Sequence, residues 1–136
     1  MNATLVTRTA GAEFAAPDAI PVRGYDLGPA RNLALSGGRI EPGARYGVHA
    51  HRSIEQITYV VAGEVEVWSF DAEKDATASV RLAVGEAVVT LPGESLEFRC
   101  IGDVAARVIF VTAPPYPPDN SDTVVLDRHR VLGPGD

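Results

Sequence analysis

Short apolar runs, most of them alternating with polar residues, fill the middle of this chain of 136 residues. Gly, Pro or Asp interrupts them at intervals of roughly 8–12 residues. An alternation with period two predicts strands, because successive side chains of a strand point to opposite faces. The stretches LALSGGRI (33–40), RYGVHAH (45–51), EQITYVV (55–61), EVEVWSF (64–70), SVRLAV (79–84), GEAVVTL (85–91), SLEFRCI (95–101) and VAARVIFVT (104–112) read as strands. EPGA (41–44), AGE (62–64), PGES (92–95) and GD (102–103) read as turns, and DAEKDATA (71–78) as a loop. No window keeps a helical period over three turns. The pattern predicts an all-β sandwich or barrel in a single domain, with its core over 31–112. The segment 1–30, Pro/Gly-spaced from Asp18 to Gly28, is expected along the barrel edge. The tail 113–136 is too rich in proline for a central strand. It is expected to form a lid, or an edge strand through TVVLD (123–127).

One strand also predicts what lies outside the barrel. Gln56, Thr58 and Val60 share one face, and Ile57, Tyr59 and Val61 share the other. A strand with a watery outer face would be polar on one side. Here both sides carry apolar bulk, so the outer face is expected to be covered, by a second copy in a homodimer or by the chain's own ends.

Composition narrows the partners. A net charge of −6 offers no basic face for nucleic acid or an anionic membrane. Cys100 is the single cysteine, so no intramolecular disulfide or zinc knuckle can form. The start, MNATLVTRTAGAEF, has neither a basic n-region nor an apolar h-region, and no apolar run is long enough to span a bilayer. A cytoplasmic protein with a small-molecule substrate or ligand is the expectation.

Two of the three histidines, His49 and His51, lie two apart on one strand face, and Gln56 follows after a short turn. Two imidazoles and an amide converging on one point could grip a transition metal. They could equally do metal-free acid–base work, since imidazole titrates near neutrality, or sit as hydrogen-bonded interior groups.

The surrounding frame resembles the cupin family of jelly-roll β-barrels. Gly43, five residues, His49-Ala50-His51, four residues, Gln56, six residues and Gly63 keep the spacing of the family's first motif. Gly85, five residues, Leu91-Pro92-Gly93, two residues, Leu96, three residues and Cys100 keep that of the second. The resemblance covers roughly 43–112 and implies a cupin barrel, while leaving the reaction open among many. In metal-binding cupins the ligands would be His49, His51, the residue at 56 and the residue at 96. Here Gln56 replaces the acidic ligand and Leu96 the fourth one. No cofactor is therefore the first expectation, and a divalent transition metal (Zn, Fe, Ni or Mn) on His49, His51 and Gln56 is the alternative.

The reading that follows is an enzyme of isomerase or lyase type acting on an oxygenated metabolite. His49 or His51 would move a proton in an epimerisation, dehydration or cyclisation, and Gln56 would orient the substrate. Metal-free sugar epimerases of the family pair their histidine with an aspartate, and the sequence shows no Asp placed to do so. Alternatives are a metal-dependent dioxygenase or lyase, a non-catalytic ligand-binding cupin, and a barrel kept for packing. Around the site, Arg39 and Arg45 could clamp an anion at the barrel mouth, and Tyr46, Thr58 and Phe98 are expected to contact substrate. Tyr59 and Trp68 read as core or interface residues, Cys100 as a small buried hydrophobe and His129 as a surface residue. Tyr116, Asp119 and Asn120 are expected in a lid.

Overall fold

Eleven strands, all paired antiparallel, make up the secondary structure of the computed structural model, which describes residues 3–7 and 13–136. In chain order they are β1 Glu13–Ala15, β2 Pro21–Gly24, β3 Ala34–Ile40, β4 Val48–His51, β5 Glu55–Ala62, β6 Glu64–Asp71, β7 Ala76–Leu82, β8 Ala87–Thr90, β9 Ser95–Ile101, β10 Ala106–Ala113 and β11 Thr123–Leu126. One sheet has the order β1-β2-β3-β10-β5-β8 and the other β11-β4-β9-β6-β7. The two sheets close on each other as a jelly-roll barrel, in which sequence neighbours such as β4 and β5 lie in opposite sheets. Among the described residues no helix is long and apolar enough to cross a membrane.

The core follows from the alternation. Val60, Val65, Val67, Leu96, Phe98, Val108 and Phe110 come from four strands, β5, β6, β9 and β10, and are buried together. The rings of Phe98 and Phe110 stand 5.8 Å apart, within the range of favourable aromatic pairs. Gly38 is required there, since a Cβ on it would lie 2.5 Å from Cε2 of Phe110. Gly63 makes the β5–β6 turn at φ 73°, a left-handed conformation that glycine adopts without steric cost.

Of the polar stretch expected as a loop over 71–78, half is strand, and only 72–75 form the turn. β6 and β7 pair from Asp71↔Ala76 onward, and the Asp71 carboxylate caps the turn by accepting from the backbone N–H of Glu73 (3.0 Å) and Lys74 (3.3 Å). The first six residues of β7 are exposed, so no buried face disciplines their pattern; SVRLAV (79–84) marks the second half of the strand, and its start at Ala76 is missed. Both chain ends join the barrel. β2 pairs with β3, and β11 pairs with β4 from Thr123↔His51 to Leu126↔Val48. Among the described residues neither flanking segment covers the outer face of β5, where Ile57, Tyr59 and Val61 remain 41%, 40% and 41% exposed.

Candidate functional site

His49, Ala50 and His51 are all buried on β4, and the two imidazoles share the inward face. Their rings meet edge to face at 5.1 Å. The turn after β4 is held by the C-terminal tail. The Asp122 carboxylate accepts from the Ser53 N–H (3.0 Å), the Ile54 N–H (3.3 Å) and the Ser53 hydroxyl, and the Asp122 carbonyl accepts from the Arg52 N–H at 2.8 Å. This clamp sets where β5 starts and so brings Gln56 into the barrel beside His51.

Each imidazole has a carboxylate behind it. Asp18 sits on the turn before β2, tied to the barrel by the Gly47 N–H donating to its carbonyl at 2.9 Å. One carboxylate oxygen accepts from the Ile20 N–H at 3.2 Å, and the other faces His49 Nδ1 at 3.4 Å. Asp122 Oδ2 lies 3.9 Å from His51 Nδ1, and the Thr123 hydroxyl lies 3.2 Å from the same nitrogen. The expectation that no Asp stands beside the histidines is thereby corrected. Asp18 and Asp122 are 31 and 71 residues away in sequence from their imidazoles, and only tertiary folding joins them.

Gln56 is oriented from both ends. Its Nε2 donates to Thr58 Oγ1 at 3.1 Å, and its Oε1 accepts from the Tyr116 hydroxyl at 2.9 Å. The Tyr116 ring packs 5.3 Å from that of His51. On the far side of His51, Nε2 is buried without a hydrogen-bond partner. His49, His51, Gln56 and Tyr116 line one cavity of about 320 Å³, walled by Ile20, Phe98, Phe110 and Pro117 among others, within the size range of small-molecule sites.

Burial dominates the protonation of the site. Desolvation pushes His49 down to about 4, against the pull of the Gly47 carbonyl. It also pushes His51 to about 4, helped by His49 and opposed by Asp122, Gln56 and Asp18. Asp18 is raised to about 6 by the same loss of water, and burial keeps the Tyr116 phenol protonated well above its ordinary range. At neutral pH the site therefore holds two neutral imidazoles, a largely ionised Asp18 and an intact phenol.

This arrangement has a signature in stability. Between about pH 6.5 and 4 the unfolded chain protonates both imidazoles and the folded chain does not, so stability falls with pH through that window. Asp18 acts in the opposite sense between about 6 and 3.8, where only the folded state holds the proton. Two groups outweigh one. The melting temperature is expected to drop by roughly 5 °C or more from pH 7 to pH 4.5, and more steeply in an Asp18→Asn variant. A melting temperature that rises toward pH 4.5 would refute this protonation pattern.

The other residues singled out above are scattered. Phe98 lines the cavity. Thr58 does not line it but sits behind Gln56 as a hydrogen-bond acceptor. Arg39 lies on the outside, paired with Glu41 at 2.6 Å, and Arg45 is exposed; neither reaches the cavity. The Tyr46 hydroxyl accepts from the Glu41 N–H at 2.8 Å while its ring packs on the core, again away from the cavity. Long side chains at strand ends turn to solvent or to the nearest acid, which separates them from the inward row. Trp68 lies under the Arg99 guanidinium at 4.7 Å, and half-buried Cys100 donates to the Val104 carbonyl. Asn120 lines the cavity, whereas Asp119 is exposed. His129 is not a surface residue: it bridges Ser95 Oγ (2.8 Å) and Glu97 Oε1 (2.9 Å), fastening the tail to the outer side of β9.

The donor set is incomplete for a resident metal. Leu96 stands opposite His49 in the β4–β9 register and is 1% exposed, so the fourth position is filled by hydrocarbon. Gln56 Oε1 already accepts from Tyr116. No group of three or more His, Cys, Asp or Glu suited to hold a metal ion occurs among the described residues. Two imidazoles and a neutral amide already bonded to Tyr116 offer a divalent ion neither a fourth ligand nor an anionic one, and they do not fit one.

Comparison with known proteins bears on the frame. The sequence model of the family described as Cupin domain matches residues 38–112. No curated protein matches the chain. Among solved structures, KdgF from Halomonas sp. is similar at a TM-score of 0.67 and 19% identity, over 87% of this chain and 98% of that one. Oxalate decarboxylase from Bacillus subtilis is similar at a TM-score of 0.74 and 19% identity, over 93% of this chain and 33% of that one. The capsular polysaccharide assembling protein CapF from Staphylococcus aureus is similar at a TM-score of 0.70 and 17% identity, over 92% of this chain and 32% of that one. This chain thus spans about a third of the latter two proteins. At such identities the likeness is one of fold.

Proposed function

The chain belongs to the cupin family, and from that premise we propose that its barrel is a metal-free acid–base site of isomerase or lyase type. The observation that carries this reading is His51, which lines the cavity and whose buried Nε2 has no hydrogen-bond partner among the described residues. Leaving such an atom unsatisfied costs about 1–3 kcal/mol, and a substrate group is what would satisfy it. The reaction takes the tautomer in which Nδ1–H, 3.2 Å from the Thr123 hydroxyl and 3.9 Å from the Asp122 carboxylate, holds the proton and Nε2 carries the lone pair. It removes a proton from a carbon next to a carbonyl, and the C–H electron pair moves into a C=C bond as the carbonyl oxygen takes the negative charge. The Tyr116 hydroxyl and the Gln56 amide N–H donate to that oxygen in place of their present partners. Asp122 and Asp18 stabilise the imidazolium so formed. Return of the proton to another face or atom completes an isomerisation. Loss of a hydroxide from the β-carbon, protonated by the imidazolium, completes a dehydration. The similarity in fold to oxalate decarboxylase, an enzyme by name, is in keeping with a catalytic role.

The test is solvent exchange. The protein is incubated in D₂O with a panel of cyclic ketones, hydroxyketones and keto sugars, in buffer containing chelator, and deuterium gained next to the carbonyl is followed by NMR. Enzyme-dependent exchange on at least one compound is the expected result. Exchange that appears only when a transition metal is added would overturn the metal-free mechanism in favour of a metal on His49, His51 and Gln56. Binding without exchange would favour the ligand-binding alternative.

The outer face of β5 and its neighbours is assigned to a second copy of the chain. In the register of the sheet, Ile57 pairs with Val89 and Val111, and Tyr59 with Ala87 and Ile109, so two rows of apolar side chains cross three strands. Light scattering is expected to give twice the chain mass of 14.4 kDa, and Tyr59→Glu to return it to the monomer value. A monomeric parent would discard this assignment.

A further inference from the structure

We propose that the cavity, taken as the reaction site above, selects a neutral, ring-sized and largely apolar molecule bearing one or two oxygens, and rejects carboxylates and phosphates. The class follows from size, walls and charge together. At about 30 Å³ per liquid water, 320 Å³ is roughly ten waters' worth of space, enough for a molecule on the order of ten non-hydrogen atoms. Phe14, Ile20, Val22, Phe98 and Phe110 line it with hydrocarbon. Its polar groups belong to a few residues, among them His51, Gln56 and Tyr116, whose rings and hydrogen bonds already touch.

Charge then decides what cannot enter. No Lys or Arg lines the cavity among the described residues. The acid that lines the cavity is Asp18, with Asp122 directly behind His51. Nearby cations are engaged elsewhere: Arg52 donates to the Ser121 and Asp136 carbonyls, and Arg39 pairs with Glu41. An anionic ligand would lose its water, meet a carboxylate and find no cation, which is costly on each count. A neutral carbonyl or hydroxyl compound meets donors and an acceptor that are already there.

The experiment compares two probes that differ in charge and little else, methyl cyclohexanecarboxylate and cyclohexanecarboxylate. Their dissociation constants are measured by ligand-observed NMR on the intact parent protein at pH 8, where Asp18 is ionised. The ester is expected to bind at least tenfold more tightly than the carboxylate. The gap should narrow in Asp18→Asn, and also in Ser36→Lys, which adds a cation at the half-buried cavity wall should the first variant fail to fold. Carboxylate binding as tight as the ester's, or no binding of either ring at millimolar concentration, would overturn the assignment. The exchange assay is independent of it: selective binding of the neutral ring without deuterium exchange on any neutral ketone would refute the acid–base reading and leave the ligand class standing.

Discussion

Replacing His51 by alanine lowers the rate of solvent exchange by about 10²–10⁴-fold, the usual contribution of a positioned general base. The loss should fall on kcat, because the Nε2 lone pair acts on the proton only as the C–H bond breaks. Ligand binding should change little, since Gln56, Tyr116 and the apolar wall remain. Exchange in the parent should be flat above pH 6 and decline below it. Asp18 is raised to about 6 and its charge is lost first, and His51 itself protonates near 4. His49→Ala serves as the comparison. His49 holds the Asp18 carboxylate at 3.4 Å and disfavours a proton on His51, so its removal shifts the acid limb as well as the rate. A His51→Ala protein that exchanges as fast as the parent would end the proposed role, and a reversal between the two variants would move the base to His49.

The second large effect is on stability. Phe98→Ala is expected to cost about 3–5 kcal/mol, as for buried aromatic truncations in general. This corresponds to a drop of roughly 10–20 °C in melting temperature for a domain of this size. Phe98 is 1% exposed at the centre of β9, paired with Val67 on β6 and packed against Phe110 across the barrel. It also forms a wall of the cavity, so its truncation enlarges an existing space that neighbouring strands cannot close by a small shift. Phe98→Leu, which keeps most of the volume, should cost much less. Denaturant unfolding of the two variants measures this directly, and a cost below about 1 kcal/mol for the alanine would mean that the wall collapses onto the gap.

The strands of the barrel were legible wherever one face is buried. β5, β6, β9 and β10 alternate because every second residue enters the core, and β9 runs over the very residues 95–101 that its pattern predicts. β7 was legible only in part, for its side chains face water on both sides and alternation has no cause there. The row of His49, His51 and Gln56 was legible from spacing alone, because period two and a tight turn bring these residues to one place. Their partners were not. Asp18 and Asp122 are single acids in irregular segments, in a chain with eighteen of them. What singles them out is burial, which no local pattern encodes. Tyr116 stood out only as part of a proline-rich tail, and its bond to Gln56 depends on the path that tail takes across the barrel mouth. Arg39 and Arg45 illustrate the converse error, in which a charge close to the site in sequence faces away from it in space.

The site is therefore assembled from three separate stretches of chain. The barrel contributes His49, His51, Gln56 and Phe98, the segment before β2 contributes Asp18, and the segment around β11 contributes Tyr116, Asp122 and Thr123. Only the first group falls within residues 38–112, where the family pattern resides. A barrel of this kind works as a fixed socket whose fittings are supplied from outside it. Exchanging the two flanking segments would change the acids, the donor and the mouth of the cavity while every core contact among β5, β6, β9 and β10 stayed as it is. Chemistry and architecture can then drift independently, and two chains with the same central motif need share no reaction at all.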